Sequence, residues 1–248
     1  MPDFLKTANG RTLAYHRTIG ATPGVIFFGG FVSDMGGTKA MHLEAWAQAA
    51  GRGFIRFDYS GHGQSRGAFE AGSIGDWAED AAAILAMAPG KQLLVGSSMG
   101  GWIALLLARR HPQRLAGLVT IAAAPDFTED SLWAGFSPHQ RALLLDQGRL
   151  ALPSEYAPEG YRITRRLIED GRNHLVLRSP LALPFPCRFL QGSADTEVAP
   201  AVALRLLDHA SGPDISLTLV KGADHRFSTP DCLALTIAAV EGLLEPAG

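Results

Sequence analysis

The sequence predicts an α/β domain, a mainly parallel sheet with helices on both faces. Two observations lead to it. Short apolar runs alternate along the chain with stretches whose apolar residues recur at helical spacing, the pattern of successive strand–helix units. The chain also suits one such domain in size. Its 248 residues, 47% hydrophobic and 19% charged, can bury a sizeable core, whereas two complete domains would be cramped. Residues 1–248 are read as a single domain.

Residues 4–7 and 13–18, separated by Asn9-Gly10, read as a hairpin, because Asn-Gly readily takes the positive φ of a tight turn. Residues 24–28 are a buried strand ending in Gly29-Gly30. A helix over 39–50 places Ala40, Leu43, Ala47 and Ala50 on one face and stops at Gly51. The next strand, 54–58, leads through a glycine-rich loop to a helix starting near Asp76. There Asp76 and Glu79 have capping-box spacing, and Pro89-Gly90 closes the helix. After a strand over 92–95, residues 96–101 open an almost wholly apolar helix, 102–108, and 118–122 is a further strand. From Pro125 to about Pro186 prolines break the rhythm around two helix-like stretches, 138–147 and 160–170, as expected of a small helical cap inserted into the domain. The alternation resumes with a strand over 187–190, a helix opened by Pro200 and closed at Gly212, a strand over 215–220 and a helix opened by Thr229-Pro230.

Composition removes several classes of function. With 22 Lys+Arg against 24 Asp+Glu the net charge is -2, so there is no basic surplus for nucleic acid. Two cysteines, Cys187 and Cys232, build neither a disulfide framework nor a four-thiolate zinc site. No Cys/His/Asp/Glu cluster has metal-ligand spacing, and neither metal nor organic cofactor is expected. Gly61-His62-Gly63 is not a dinucleotide loop, since Arg66 stands where the third glycine belongs. Residues 1–13 lack a basic segment leading into an apolar run and read as mature structure. The longest apolar runs, 81–88 and 102–108, fall far short of the ~18 residues of a membrane span. A soluble, cytoplasmic protein without an integral membrane segment is expected. Oligomeric state is not legible.

Gly96-Ser97-Ser98-Met99-Gly100 is G-x-S-x-G between a strand and a helix, the setting of a nucleophile elbow. Only Ser98 has glycine two positions away on each side, so Ser98 is the candidate nucleophile and Ser97 a packed neighbour. The Met99 N–H, at the start of the helix, is a candidate oxyanion donor. A serine hydroxyl needs a base late in the chain. Of eight histidines, His225 follows the last strand and lies on the side of the sheet where Ser98 emerges. His209 reads more simply as a helix-end residue. Asp195, after the 187–190 strand, is the candidate acid, with Asp126 after the 118–122 strand as the alternative. The second oxyanion donor is expected from the Gly29-Gly30-Phe31 loop, at the Phe31 N–H. The Phe31 ring either lines an acyl pocket or plugs the loop. Glu197 and Asp224 read as loop or surface residues.

These residues resemble the α/β-hydrolase superfamily. The stretches Phe31-Val32-Ser33-Asp34-Met35-Gly36-Gly37-Thr38-Lys39-Ala40, Ile55-Arg56-Phe57-Asp58-Tyr59-Ser60-Gly61, Val95-Gly96-Ser97-Ser98-Met99-Gly100-Gly101-Trp102 and Asp224-His225-Arg226 resemble the mitochondrial protein depalmitoylases that also hydrolyse acyl glucuronides, and their bacterial relatives. In the cap the likeness is confined to Leu152-Pro153-Ser154-Glu155-Tyr156. The resemblance implies an α/β-hydrolase fold with a helical cap, a serine hydrolase acting on acyl thioesters or esters of small molecules or proteins, and the triad Ser98, Asp195 and His225.

A small-molecule carboxylesterase, an acyl-glucuronide esterase and a non-catalytic ligand-binding protein on the same fold are the alternatives. A peptidase or carbon–carbon bond hydrolase would use much the same triad. Phe31, Met99, Phe127, Leu132, Trp133 and Phe136 are expected either to surround an acyl chain or to pack the cap on the core. Arg141, Arg162, Arg165 and Arg166 offer charge for a substrate carboxylate.

Overall fold

The computed structural model describes residues 1–152 and 160–244 of the protein. In chain order it holds β1 (Asp3–Lys6), β2 (Thr12–Thr18), β3 (Ala21–Phe28), α1 (Thr38–Ala49), β4 (Arg52–Phe57), α2 (Ile74–Met87), β5 (Gln92–Ser97), α3 (Met99–Arg110) and β6 (Leu115–Ile121). An excursion follows, with α4 (Pro138–Gln147), β7 (Arg149–Leu152), β8 (Tyr161–Thr164), α5 (Arg165–Gly171) and β9 (Leu181–Ala182). The chain then returns through β10 (Cys187–Gly192), α6 (Pro200–His209), β11 (Ala210–Ser211), β12 (Ile215–Val220) and α7 (Pro230–Leu244).

Eight strands make one sheet in the order β1-β2-β4-β3-β5-β6-β10-β12. The strands from β4 to β12 run parallel, and the β1–β2 hairpin adds antiparallel at the β4 edge. Period-2 alternation divides each central strand between two cores. Val25, Phe27, Leu93 and Val95 pack with Leu43 of α1 and Val240 of α7. Ile26, Phe28 and Leu94 pack on the other face with Trp77 of α2 and Trp102 of α3. Because β4 lies on one side of β3 and β5 on the other, the direction of winding reverses there. The crevice beyond the strand carboxyl ends at such a point is where ligands bind in open α/β sheets.

The structure departs from the sequence expectations in four places. First, α2 starts at Ile74 and is capped by Ser73, whose Oγ accepts the Asp76 N–H at 3.4 Å and donates to Asp76 Oδ2 at 2.8 Å. Asp76 and Glu79 do not form the expected box; they bind Arg11, at 3.2 and 2.7 Å. Second, α3 begins directly after Ser98, so Gly100 and Gly101 are helical despite their low propensity. Third, residues 160–170 are not one helix. Tyr161 and Ile163 alternate as a strand against Leu152 and Leu150, and α5 starts only where the Thr164 hydroxyl accepts the Leu167 N–H at 3.1 Å. With a wide helical turn over Thr128–Trp133, the excursion mixes helix and hairpin and is not purely helical. Fourth, α6 ends at His209, whose Nε2 lies 2.8 Å from the Ser179 carbonyl oxygen, and β11 pairs with β9 before Gly212 is reached. Pro153, Pro158 and the Pro153–Tyr156 part of the cap resemblance lie outside the described residues.

Candidate active site

Ser98 sits at the junction of β5 and α3 with φ 54° and ψ -120°, a strained region for a residue with a side chain. The neighbouring contacts hold it there. Its N–H donates to the Ile121 carbonyl at 2.9 Å, and its own carbonyl accepts from the Gly101 and Ala124 N–H groups at 2.9 and 3.1 Å. A Cβ at Gly96 would strike the Gly100 carbonyl, and one at Gly100 would strike the Phe28 carbonyl. Glycine at both positions is therefore what lets α3 fold back over β5 and β3. Met99 is the first residue of α3, so its N–H has no carbonyl four residues back within the helix. Ser97 is buried, as expected of a packed neighbour.

β10 and β12 are adjacent and parallel, and the loops leaving their carboxyl ends carry Asp195 and His225. His225 Nε2 lies 3.2 Å from Ser98 Oγ, and Nδ1 lies 2.9 Å from Asp195 Oδ2. Asp195 is fully used. Its Oδ2 also accepts from Gln191 Nε2 at 2.9 Å, and its Oδ1 accepts from the Glu197 and Val198 N–H groups at 2.9 and 2.8 Å. Burial works to raise the Asp195 carboxyl, but the bonds from His225 and the Val198 N–H outweigh it and hold it below the ordinary value. Such an arrangement fixes the imidazole by one nitrogen and presents the other to a hydroxyl, so that a proton can pass from oxygen to nitrogen.

The alternative acid, Asp126, is committed elsewhere. It is fully buried and accepts from the Val176 and Leu177 N–H groups at 2.7 and 3.1 Å and from Arg178 Nη1 at 2.7 Å. It pins the excursion to the end of β6 and makes no bond to His225.

The loop carrying Phe31 lies near Ser98: a Cβ added to Gly30 would come within van der Waals range of the Ser98 Cβ. Asp58 clamps this loop. Its Oδ1 accepts the Met35 N–H at 2.6 Å and its Oδ2 the Gln64 N–H at 2.8 Å. Arg56 donates to the Met35 carbonyl at 3.0 Å and to Glu44 at 2.9 Å. The Phe57-Asp58-Tyr59-Ser60-Gly61 stretch thus ties two loops at the rim of the site together. The Phe31 ring makes edge contacts with Phe69 and Phe127 at 5.0 and 5.7 Å and also borders the cavity at Ser98.

Two cavities meet at Ser98 and His225. One, of about 410 Å³, is walled by Phe127, Leu132, Leu152, Ile163, Val198 and Val202. The other, of about 350 Å³, is bordered by Ser33, Asp34, Thr38, Lys39 and Arg226. Burial pulls the Lys39 ammonium down to about 8, against the opposing pull of Asp224. Phe31, Tyr161 and Glu197 border both cavities.

Phe31, Met99, Phe127 and Leu132 line the apolar cavity as expected, whereas Trp133 and Phe136 pack on each other at 6.4 Å, away from its wall. The cap arginines are held by the protein's own groups. Arg141 donates to the Trp133 carbonyl, Arg162 pairs with Glu70, Arg165 with Glu169 and Arg166 with Asp76. They do not face the cavities. Sequence reasoning missed Gln191, Tyr161 and Glu197. Glu197 is an exposed loop residue, as read, and its Oε2 lies 3.7 Å from His225 Nε2. Its place two residues after Asp195 was the one available signal.

Among the described residues, no helix is long and apolar enough to cross a membrane. Over 244 residues the chain is 37% identical to the mouse protein named palmitoyl-protein thioesterase ABHD10, mitochondrial, covering 98% of this chain and 82% of that one. The human protein of that name is 33% identical over 247 residues, with coverage of 98% and 79%. In structure the chain is similar to a putative hydrolase from Agrobacterium vitis, with TM-score 0.94, 40% identity and 99% of each chain covered. It is similar also to alpha/beta hydrolase domain-containing protein 10 from mouse, with TM-score 0.91, 36% identity and 98% of each chain covered. Residues 25–158 match the family described as alpha/beta hydrolase fold, and with the elbow, the strand order and this likeness over nearly its whole length the chain belongs to that family.

Proposed function

We propose that the protein is a serine hydrolase that cleaves acyl thioesters or esters through an acyl-enzyme, in the manner of a protein depalmitoylase. The observation that carries this reading is the hydrogen-bonded chain from Ser98 through His225 to Asp195, opening onto an apolar cavity of about 410 Å³. In this reading His225 takes the Ser98 proton as Oγ attacks the acyl carbonyl, and the Met99 and Phe31 N–H groups receive the oxyanion. His225 then protonates the departing thiolate or alkoxide, and a water molecule deacylates Ser98 by the reverse sequence. Asp195 holds the tautomer and balances the imidazolium charge. No step requires a metal or an organic cofactor.

The acyl chain occupies the apolar cavity and the leaving group the polar one. The thioesterase name of the mouse and human relatives supports acylated small molecules or acylated proteins as substrates. Residues 125–186 act as a cap on a single domain spanning 1–248, and the two free, buried thiols of Cys187 and Cys232 suit the cytoplasm.

Each buried methylene contributes about 0.8 kcal/mol, so four additional carbons in the cavity give specificity gains on the order of 100-fold. The test is kcat/KM across thioesters and p-nitrophenyl esters of two to sixteen carbons, together with fluorophosphonate labelling of the intact protein. Labelling at Ser98 and a rise from acetyl to medium or long chains are expected. A monotonic decline from acetyl upward would refute the lipid-acyl assignment, and absence of labelling would refute the enzyme.

A further inference from the structure

Asp195 uses its two oxygens for two different tasks. Oδ2 holds His225 Nδ1, while Oδ1 accepts the backbone N–H of Glu197 at 2.9 Å and that of Val198 at 2.8 Å. The second pair bends the chain tightly after Asp195 and fixes where the Glu197 side chain leaves it. That side chain returns to the opposite edge of the same imidazole, with Oε2 3.7 Å from Nε2, and it borders both cavities where they meet at Ser98. Its side chain remains 41% exposed, so water reaches it. Two acceptors 3.7 Å apart are too distant for a direct hydrogen bond but are spanned by one water about 2.8 Å from each. Nε2 is the atom that must deprotonate the attacking water during deacylation.

We propose that Glu197 holds the deacylating water. The water donates one hydrogen to Glu197 Oε2 and directs the other at His225 Nε2. Its oxygen attacks the acyl carbon while Nε2 takes the second proton. The bond from the acyl carbon to Ser98 Oγ then breaks, Oγ recovers that proton from Nε2, and the carboxylic acid leaves with the water oxygen. The proton on the Glu197 side stays with the product acid until solvent takes it. No proton remains on the enzyme at the end of the cycle. Acylation involves no water, so Glu197 acts selectively on the second half-reaction.

The inference rests on the acyl-enzyme reading above, and the experiment separates the two. Rapid-mixing kinetics with a p-nitrophenyl ester measure acylation as the burst and deacylation as the steady state, and intact-protein mass spectrometry measures the acylated fraction. For Glu197→Ala, deacylation falls about tenfold or more relative to acylation, and acyl-enzyme accumulates. Glu197→Gln, which keeps an oxygen acceptor at the same reach, restores at least part of the ratio. Hydroxylamine, a stronger nucleophile that needs less positioning, discharges the acylated Glu197→Ala protein at close to the wild-type rate. If Glu197→Ala slows both half-reactions equally, the carboxylate acts only as a charge beside the imidazolium, and the proposal is wrong. An unchanged ratio also overturns it. A wild-type protein that never acylates on Ser98 defeats the acyl-enzyme reading itself.

Discussion

Asp195 and Asp126 are both carboxylates that follow strands of the same sheet, and their partners separate their roles. Asp195 orients a histidine, whereas Asp126 receives two backbone N–H groups and an arginine from the excursion. Asp195→Asn is expected to lower kcat by about 10³–10⁴-fold, because the amide leaves His225 in the wrong tautomer. Asp126→Asn is expected to keep kcat within about threefold while costing roughly 1–3 kcal/mol of stability through its weakened buried bonds. Turnover and urea midpoints of the two variants decide the assignment, and reversed effects would transfer the acid to β6. With Ser98 as the proposed nucleophile, Ser98→Ala is expected to abolish most of the acceleration. A variant retaining a tenth of wild-type turnover, a barrier change of only about 1.4 kcal/mol, would show that another group attacks.

At the scale of elements, two helices set the geometry of the site. The first turn of α3 must pass so close to β3 that a Cβ on Gly100 would overlap the Phe28 carbonyl oxygen. Gly100→Ala therefore has to push the helix off the sheet. A destabilisation of at least about 2 kcal/mol is expected, with a fall in kcat of about 100-fold from misplacement of the Met99 N–H and Ser98 Oγ. Thermal melts and kcat report the two effects. The first turn of α6 supplies Val202 to the apolar cavity. Val202→Phe fills space for about three methylenes, so kcat/KM for long acyl chains should fall about 50-fold relative to acetyl. Equal losses for all chain lengths would place the acyl group elsewhere.

On the scale of the whole molecule, burial of one histidine couples stability to pH. His62 is packed edge-on against Tyr59, Phe69 and Trp77, at 5.6, 5.1 and 5.0 Å, and burial brings it down to about 4. Between its unfolded value of about 6.5 and that lower one, the unfolded chain binds a proton that the folded chain does not. Stability therefore falls as pH drops through this window, by about 3 kcal/mol in all, and is fully present above it. Asp195, held low in the fold, adds loss in the same direction at still lower pH. His62→Phe should remove most of the dependence, so urea midpoints at pH 7 and pH 4.5 should differ less for the variant than for the wild type. Identical slopes would mean that His62 is charged or solvated in the fold.

Outside the excursion, the order of the main strands and helices was legible in the chain, as were the elbow serine and the late histidine as candidates, because each depends on local chemistry. Alternating burial writes itself into strands such as β3, and glycine is demanded wherever backbones touch, as at Gly96 and Gly100. The extent of α3 was less legible, since helix propensity penalises the glycines that the packing requires. The remaining distinctions were decided by contacts between distant segments. The sequence ranked Asp195 ahead of Asp126, but their separate partners came from packing: pairing of β10 with β12 brought residues 30 positions apart to 2.9 Å, and Arg178 crossed 52 positions to reach Asp126. The fates of Phe127 and Leu132, which line the cavity, and of Trp133 and Phe136, which pack beside it, depend on how the excursion folds back on the core. There the proline-broken pattern is too short to tell strand from helix. Glu197 carried no signal beyond its place two residues after Asp195: its carboxylate comes to 3.7 Å from the His225 imidazole only through the packing of β10 beside β12, and proximity of that kind is a property of the packed sheet.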